Sequence, residues 1–219
     1  LTGSLFSNGF IMKNLLNKRV ILWDFDGVIV DSNSVRELGF RRVFEHFDKD
    51  SVEKLLQYHN ENGGLSRYVK IKYFFKNILH QNITQNSIFE YANAFSEIMK
   101  LELINKKYII QETLDFITDK GNNFDNHIVS GSDQEELRFL CQKLGVYDFF
   151  ITINGSPTPK KELVKNIMRN YGYESRLMAL IGDSINDYEA ARVNEIDFFG
   201  YSNPLLKKFD NYIESFTNY

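Results

Sequence analysis

The stretch Val20-Ile21-Leu22-Trp23-Asp24-Phe25-Asp26-Gly27-Val28 joins four apolar residues to two closely spaced carboxylates. A short apolar run without alternation is typical of a strand that is covered on both faces of a parallel sheet. Asp24 and Asp26 are two positions apart, so an extended backbone directs both side chains to the same side. Gly27 permits a sharp turn directly after them. Ligands of open α/β sheets bind beyond the carboxyl ends of strands, so this stretch is either an ordinary solvated turn or part of a reactive site.

Further strand-like runs recur along the chain and alternate with helical patterns. The predicted strands cover residues 20–24, 127–130, 149–153, 177–181 and 196–201, and the predicted helices cover residues 108–120, 133–144, 160–171 and 187–193. Alternation of this kind indicates a parallel sheet with right-handed crossovers. The predicted fold class is therefore α/β, with a Rossmann-like parallel sheet core that carries helices on both faces.

The segment from residue 34 to residue 106 interrupts this alternation because it shows helical periodicity and no convincing strand. Apolar residues recur in it as three stripes at helical spacing: Val35, Leu38, Phe40, Val43, Phe44 and Phe47; Tyr68, Ile71, Phe74, Phe75, Ile78 and Leu79; Ile88, Tyr91, Phe95, Ile98 and Met99. An insertion of roughly seventy residues is far longer than an ordinary strand-to-helix loop. We therefore predict an inserted all-helical cap domain at 34–106 and a catalytic core made of 1–33 and 107–219.

The composition is that of a globular protein and argues against two classes of partner. The net charge of −3 provides no basic footprint for nucleic acid, and no stretch approaches the roughly 20 apolar residues that span a bilayer. We expect no nucleic-acid partner and no membrane partner. A single cysteine, Cys141, excludes an internal disulfide and is expected to be a small buried residue of a helix. The expected location is cytoplasmic.

The first eighteen residues form a poor secretory signal, because Asn8 and Lys13 interrupt their apolar residues and no small-residue cleavage site follows. Position 1 is a leucine, so Met12 is a candidate for the natural start.

Three more polar clusters follow predicted strands. They are Ser130-Gly131-Ser132, the loop 155–161 with Lys160 and Lys161, and Gly182-Asp183-Ser184-Ile185-Asn186-Asp187. Each has an ordinary explanation: a turn, a solvated pair of lysines, and an aspartate at a helix N-cap. However, the carboxyl ends of parallel strands meet at one edge of a sheet, so all three clusters are expected to join Asp24 and Asp26. Two acidic pairs in one crevice supply the hard oxygen ligands of a magnesium site.

The ordered set of these clusters resembles the four motifs of the haloacid dehalogenase-like hydrolase superfamily. The motifs are Asp24-Phe25-Asp26-Gly27, Ser130, Lys160 and Gly182-Asp183-Ser184-x-x-Asp187, and they span residues 24 to 187. The insertion after the first motif resembles the helical, C1-type cap of the phosphoglycolate phosphatase-like branch. Within the set, only the first and last motifs are specific when taken alone.

The resemblance implies a role for each motif. Asp24 would be the nucleophile that forms an aspartyl-phosphate, and Asp26 would act as general acid and then as general base. The transferring phosphoryl oxygens would be held by three groups. These are Ser130, the N–H of Gly131 and Lys160, with Lys161 as the alternative if the loop register differs by one.

The resemblance also implies the metal ligands. The expected cofactor is Mg²⁺, held by Asp24, by the main-chain carbonyl of Asp26 and by Asp183. Asp187 would orient the metal's ligands or bind through water.

Two details narrow the expected activity. Asp26 argues against a dehalogenase or a phosphonatase, which lack an acid at that position. The run Asp31-Ser32-Asn33-Ser34-Val35-Arg36 lacks the histidine expected in a β-phosphoglucomutase-like cap. We therefore expect a magnesium-dependent phosphatase acting on a small phosphoester, with a phosphosugar mutase as the alternative. A phospho-accepting, receiver-like signalling domain is a third possibility, against which the insertion and Asp26 both argue.

The segment 62–67 of the insertion is the expected substrate-facing loop. Its glycines favour a loop, Ser66 would cap the following helix, and Arg67 would bind a second anionic group of the substrate. The alternative is a surface arginine that pairs with Glu61 or with nothing. The four histidines show no metal-ligand spacing and are assigned no role: His46, His59, His80 and His127.

Overall fold

The computed structural model describes residues 2–217 and contains one parallel sheet. Leu1, Asn218 and Tyr219, which the domain prediction assigns to the core, lie outside the described residues. Six strands form the sheet in the order β3-β2-β1-β4-β5-β6. The strands are β1 (Val20–Trp23), β2 (Asp125–Asp133), β3 (Thr152–Ser156), β4 (Met178–Gly182), β5 (Asp197–Tyr201) and β6 (Tyr212–Ile213). The order places β1 at the centre, where buried neighbours on both sides suit its wholly apolar sequence.

Nine α-helices accompany these strands in the described part of the chain. They are α1 (Thr2–Leu16), α2 (Asn33–Val43), α3 (Lys49–Glu61), α4 (Arg67–Tyr73), α5 (Gln85–Glu102), α6 (Gln111–Lys120), α7 (Gln134–Leu144), α8 (Lys160–Tyr171) and α9 (Ile185–Val193). A π-helical turn at Phe74–Ile78 continues α4. Across residues 2–217, none of the helices combines the length and the apolar character that crossing a membrane requires.

Alternate residues of β1 enter two separate apolar layers. Ile21 and Trp23 pack in a cluster with buried residues of α1, α6 and α7, whereas Val20 and Leu22 pack with buried residues of α8 and α9. Because side chains of a strand alternate between faces, these two clusters lie on opposite sides of the sheet. The prediction of a parallel α/β core with helices on both faces is confirmed.

The strand prediction needs three corrections. β3 begins at Thr152 rather than at residue 149, because Tyr147–Phe149 forms a 3₁₀ turn. β2 continues past residue 130 to Asp133, with a register irregularity between Val129 and Asp133. β6 was not predicted, because two residues are too few to show a periodicity. Helix α1 was not predicted either; Ile11, Met12 and Leu15 are buried on it, and the helix contacts β6.

The long insertion after β1 is helical throughout, as predicted. Helices α2 to α5 and the π-helical turn account for it, and no strand occurs between residues 33 and 106. Aromatic side chains form its interior, with ring centroids 4.5 Å apart for Phe40 and Phe95 and 4.8 Å apart for Phe44 and Phe74. That these helices act as a separate cap domain stays a prediction.

The buried face of α2 differs from the predicted stripe. Leu38 is 37% exposed, and the buried residues of the helix are Val35, Arg36, Gly39 and Phe40. A Cβ at Gly39 would lie 2.5 Å from the Cε of Met99, so the glycine allows α2 and α5 to approach closely. The face that turns inward therefore carries an arginine, which lies close to the site described next.

Candidate active site

A cavity of about 490 Å³ opens where the carboxyl ends of β1, β2 and β4 meet the inserted helices. Core residues on its wall include Asp24, Asp26, Gly131, Ser132 and Asp183. The inserted helices and their loops contribute the opposite wall, which includes Arg36, His59, Asn62, Gly63, Gly64, Leu65, Arg67 and Lys70. The structure thus brings residues of three predicted strand-end clusters and of the loop 62–67 to one cavity. The fourth cluster, the loop 155–161, reaches the site through Lys160, which contacts Asp24.

Asp24 lies directly beyond β1 and is 2% exposed. Its N–H donates to the carbonyl of Ile181 at 2.9 Å, which continues the pairing between β1 and β4 by one residue. The N–H of Phe25 donates to Oδ1 of Asp24 at 2.7 Å, and Lys160 Nζ lies 2.9 Å from Oδ2 of Asp24. The carboxylate is therefore held in one orientation by the sheet and by a buried cation.

Three carboxylates converge at this position. Asp24, Asp183 and Asp187 each offer one oxygen, and the three oxygens lie within 4.8 Å of one another. Burial and the nearby Asp187 raise the pKa of Asp24 well above its usual value, and the same two causes raise the pKa of Asp183 to about 7. Lys160 is the buried cation that faces the group, and it pairs with both Asp24 and Asp187. One lysine against three acids leaves an excess of negative charge, and hard oxygen donors in such a group fit a divalent cation such as Mg²⁺.

Lys160, rather than Lys161, belongs to the site. Lys160 is the first residue of α8 and is 4% exposed, whereas the side chain of Lys161 is exposed to solvent. Lys160 is therefore the lysine that contacts the acidic group, and its role in phosphate binding stays a prediction.

The start of α9 orients the second acidic pair. Ser184 is the N-cap, and Asp187 completes a capping box in which its Oδ2 accepts from the N–H of Ser184 at 3.1 Å. The ordinary explanation of Asp183 as the N-cap is therefore wrong. Its carboxylate packs against Gly27, where φ is +73° and a Cβ would collide with it. Asp187, by contrast, uses Oδ1 for Lys160 and Oδ2 for the helix cap.

Asp26 occupies the same cavity but has its own set of partners. Ser32 Oγ and Arg36 Nε both donate to Oδ1, the latter at 2.5 Å, and Ser132 Oγ donates to Oδ2 at 2.5 Å. Burial would raise the pKa of Asp26, but the guanidinium of Arg36 and the two hydroxyls hold it below its usual value. Asp26 is therefore a carboxylate in this conformation.

The Ser130-Gly131-Ser132 cluster is only partly on the cavity wall. Gly131 and Ser132 line the cavity, while Ser130 is fully buried and its Oγ accepts from the N–H of Ser132 at 3.1 Å. The irregular register of β2 after Val129 accounts for this arrangement. A Cβ at Gly131 would collide with the carbonyl oxygen of Gly64, so the inserted loop lies directly over the end of β2.

Arg67 is buried, so it is not the surface arginine that the sequence left as an alternative. It is 4% exposed and begins α4, which Ser66 caps as predicted. Its Nη1 donates to Glu136 Oε2 at 2.5 Å and to Ser96 Oγ at 2.7 Å. These contacts of Arg67 do not include Glu61, which was the partner expected for a surface arginine. Arg67 lies on the cavity wall, and its predicted contact with substrate stays a prediction.

Glu136 joins the inserted helices to the core. This residue of α7 is fully buried, and its Oε1 accepts from Nη1 of Arg36 at 3.0 Å while its Oε2 accepts from Arg67. Sequence reasoning missed Glu136 and Arg36, together with the two serines bonded to Asp26. One signal for Glu136 was present, because it lies four residues before Leu140 and therefore on the apolar face of α7.

Glu136→Gln is expected to destabilise the protein by about 3 kcal/mol, because it leaves the buried guanidinium of Arg67 without a counter-charge and removes one of the two carboxylates that face Arg36. Urea unfolding followed by circular dichroism measures the change. The matched control is Glu135→Gln, which removes an exposed carboxylate one residue earlier and is expected to change stability by less than about 0.5 kcal/mol. Equal unfolding midpoints for the two variants would contradict a structural role for the buried carboxylate.

Comparison with known proteins identifies the fold independently of this geometry. A family model described as haloacid dehalogenase-like hydrolase matches residues 21–201. A comparison with curated proteins finds no match.

Several solved structures are similar to the chain over most of its length. β-Phosphoglucomutase from Clostridium difficile is 19% identical with a TM-score of 0.70, and the match covers 91% of this chain and 92% of that one. A predicted phosphoglycolate phosphatase from Haemophilus somnus is 15% identical with a TM-score of 0.70, covering 92% and 96%. A magnesium-bound structure of YfnB from Bacillus subtilis is 18% identical with a TM-score of 0.68, covering 91% and 95%.

Proposed function

Because the chain belongs to the haloacid dehalogenase-like hydrolase family, we propose that it is a magnesium-dependent phosphatase acting on a small phosphorylated metabolite. The observation that carries this proposal is the convergence of carboxylate oxygens of Asp24, Asp183 and Asp187 within 4.8 Å. Lys160 pairs with Asp24, and Asp26 lies on the same cavity wall as Asp24. These groups provide a nucleophile, a cation site and a proton-transfer group in one enclosed space.

In the first half-reaction, a carboxylate oxygen of Asp24 attacks phosphorus and the bond from phosphorus to the leaving alcohol breaks. Asp26 supplies the proton that the leaving oxygen needs. In the described conformation Asp26 is a carboxylate bonded to Arg36, so it must first take up a proton. Its present state suits the second half-reaction, in which it accepts a proton from the water that hydrolyses the aspartyl-phosphate.

Mg²⁺ would be held by Asp24, Asp183 and the main-chain carbonyl of Asp26, with Asp187 binding through water. When bound, the ion would neutralise carboxylate and phosphoryl charge and so favour attack by one anion on another. Lys160, Ser130 and the N–H of Gly131 are the proposed partners of the phosphoryl oxygens. The magnesium-bound YfnB structure supports this choice of ion.

We propose that helices α2 to α5 act as a cap that covers the reacting groups and keeps water out. The contacts of the loop 62–67 support this role. Asn186 Nδ2 donates to the carbonyl of Gly64 at 3.0 Å, and Gly64 also lies against Gly131. The substrate would therefore lie between this loop and the strand ends. The single cysteine, buried on α7, supports a cytoplasmic location.

A phosphosugar mutase is the second candidate, and the similarity to β-phosphoglucomutase favours keeping it. A mutase returns the phosphoryl group to a second hydroxyl of the sugar, whereas a phosphatase releases inorganic phosphate. The two activities are therefore separated by their products.

The proposal is tested by a screen of phosphoesters with Mg²⁺ and with EDTA. The panel contains p-nitrophenyl phosphate, acetyl phosphate, sugar phosphates, phosphoglycolate and nucleotides, and the measurement is released inorganic phosphate. We expect release that falls by about 100-fold or more when the metal is removed. Conversion of a sugar phosphate to its isomer without phosphate release would instead identify a mutase. No turnover of any ester in the presence of Mg²⁺ would refute both.

A further inference from the structure

Lys70 of α4 is a buried cation whose hydrogen-bond partner is neutral. It is 3% exposed and lines the cavity, and its Nζ lies 2.8 Å from Nδ1 of His59. Burial and the charge of Lys70 lower the pKa of His59 to about 3, so the imidazole carries no charge and accepts the bond through Nδ1. Within residues 2–217, no carboxylate forms an ion pair with Lys70.

Arg36, which lines the same cavity wall, has an unused donor. Its Nε and Nη1 bond to Asp26 and Glu136, but Nη2 is buried and has no hydrogen-bond partner among the described residues. An unpaired buried N–H is costly because it has lost water and gained nothing in return. An acceptor brought into the cavity would remove that cost.

Among the buried charges of this wall, positive charge exceeds negative charge when Lys70 is protonated; Glu61 also lines the cavity, but it is exposed to solvent and accepts from Gln57. Asp26 and Glu136 are matched by Arg36 and Arg67, whereas Lys70 has no carboxylate of its own. Burial, and to a smaller extent the charges of Arg36 and Arg67, lower the pKa of Lys70 to about 7. Arg67 differs from Lys70 because Glu136 and Ser96 already occupy its Nη1.

We propose that Lys70 and Nη2 of Arg36 bind a second anionic group of the substrate, so the preferred substrates are phosphoesters that also carry a carboxylate or another phosphate. This inference rests on the proposed phosphatase function. Lys70 and Asp24 line one cavity of about 490 Å³, so a small molecule can present its reacting phosphate to Asp24 and its other anion to Lys70. A neutral polyol would satisfy the buried N–H groups but would leave the positive charge unmatched.

The experiment compares two substrates of nearly equal shape. In 3-phosphoglycerate a carboxylate replaces the terminal hydroxymethyl group of glycerol 3-phosphate. We expect kcat/KM to be higher for 3-phosphoglycerate by about tenfold or more, because hydrogen bonds to a charged group exceed those to a neutral one. Lys70→Met is expected to bring the ratio of the two kcat/KM values close to one. Lys72→Met is the matched control, since Lys72 is exposed on the same helix, and it should keep the wild-type ratio.

Two results would overturn the inference. One is a wild-type ratio near one, which needs no variant and so does not depend on how Lys70→Met folds. The other is a Lys70→Met enzyme that keeps the wild-type ratio. Magnesium-dependent hydrolysis of acetyl phosphate separates these results from a failure of the phosphatase proposal, because that small acyl phosphate does not carry a second anion.

Discussion

Asp24→Asn is expected to lower kcat by about 10⁴-fold or more while raising the melting temperature of the metal-free protein. The amide lacks the anionic oxygen that would attack phosphorus, so the covalent half-reaction fails. Stability moves the other way because Asp24 is buried beside Asp183 and Asp187, and burial, together with the repulsion from these two carboxylates, raises its pKa. Removing one of three crowded charges relieves that repulsion, although it weakens the contact with Lys160.

Phosphate release and thermal unfolding in EDTA measure the two effects. Asp31→Asn is the matched control, since it makes the same chemical change at an exposed position seven residues away and should leave both quantities unchanged. Substantial turnover by Asp24→Asn would mean that another group is the nucleophile. A fall in melting temperature would mean that the ion pair with Lys160 outweighs the repulsion among the carboxylates.

The central strand and the acidic groups could be predicted because each depends on local sequence. An apolar run marks β1, and the rule that parallel strands end at one edge brings Asp24 and Asp183 together without further information. The sequence alone did not distinguish Lys160 from Lys161, because the two lysines are adjacent in the same loop. Only the burial of Lys160 and its contact with Asp24 separate it from the exposed Lys161.

The partners of Asp26 could not be predicted, because their contacts depend on how separate elements pack. Arg36 reaches Asp26 from α2, and Glu136 reaches Arg36 from α7, a separation of 100 residues. Ser132 was visible as part of a turn, but its bond to Asp26 depends on the irregular end of β2. Long-range pairing of charged side chains depends on how elements pack, which a single sequence does not specify.

The donors around Asp26 bear on its proposed role in proton transfer. The resemblance assigns Asp26 an acid role, yet the structure surrounds it with donors that favour its charged form. The same arginine lines the cavity and carries the unused Nη2. A substrate anion that binds Nη2 would draw positive charge away from Asp26, which would ease the uptake of the proton that the first half-reaction needs.

Asp183→Asn is expected to lower kcat/KM by about 100-fold or more and to abolish the stabilisation of the protein by Mg²⁺. Asp183 is the acid of the group whose carboxylate neither caps a helix nor pairs with Lys160, so it is the side chain most available to a cation. An amide keeps one neutral oxygen but removes the charge that attracts the ion.

The pH dependence of stability tests the same carboxylate in the wild-type protein. Because the folded-state pKa of Asp183 is about 7 and exceeds its unfolded value, the folded protein holds a proton that the unfolded chain releases. Relative to Asp183→Asn, the metal-free wild-type protein should therefore lose stability as the pH rises from about 4 to about 7, and Mg²⁺ should restore it. The comparison with the variant is needed because His59, whose folded-state pKa of about 3 lies below its unfolded value, contributes the opposite slope to both proteins. Asp210→Asn, at an exposed position, is the control that should follow the wild type. Equal stabilisation of Asp183→Asn and wild type by Mg²⁺ would place the ion elsewhere.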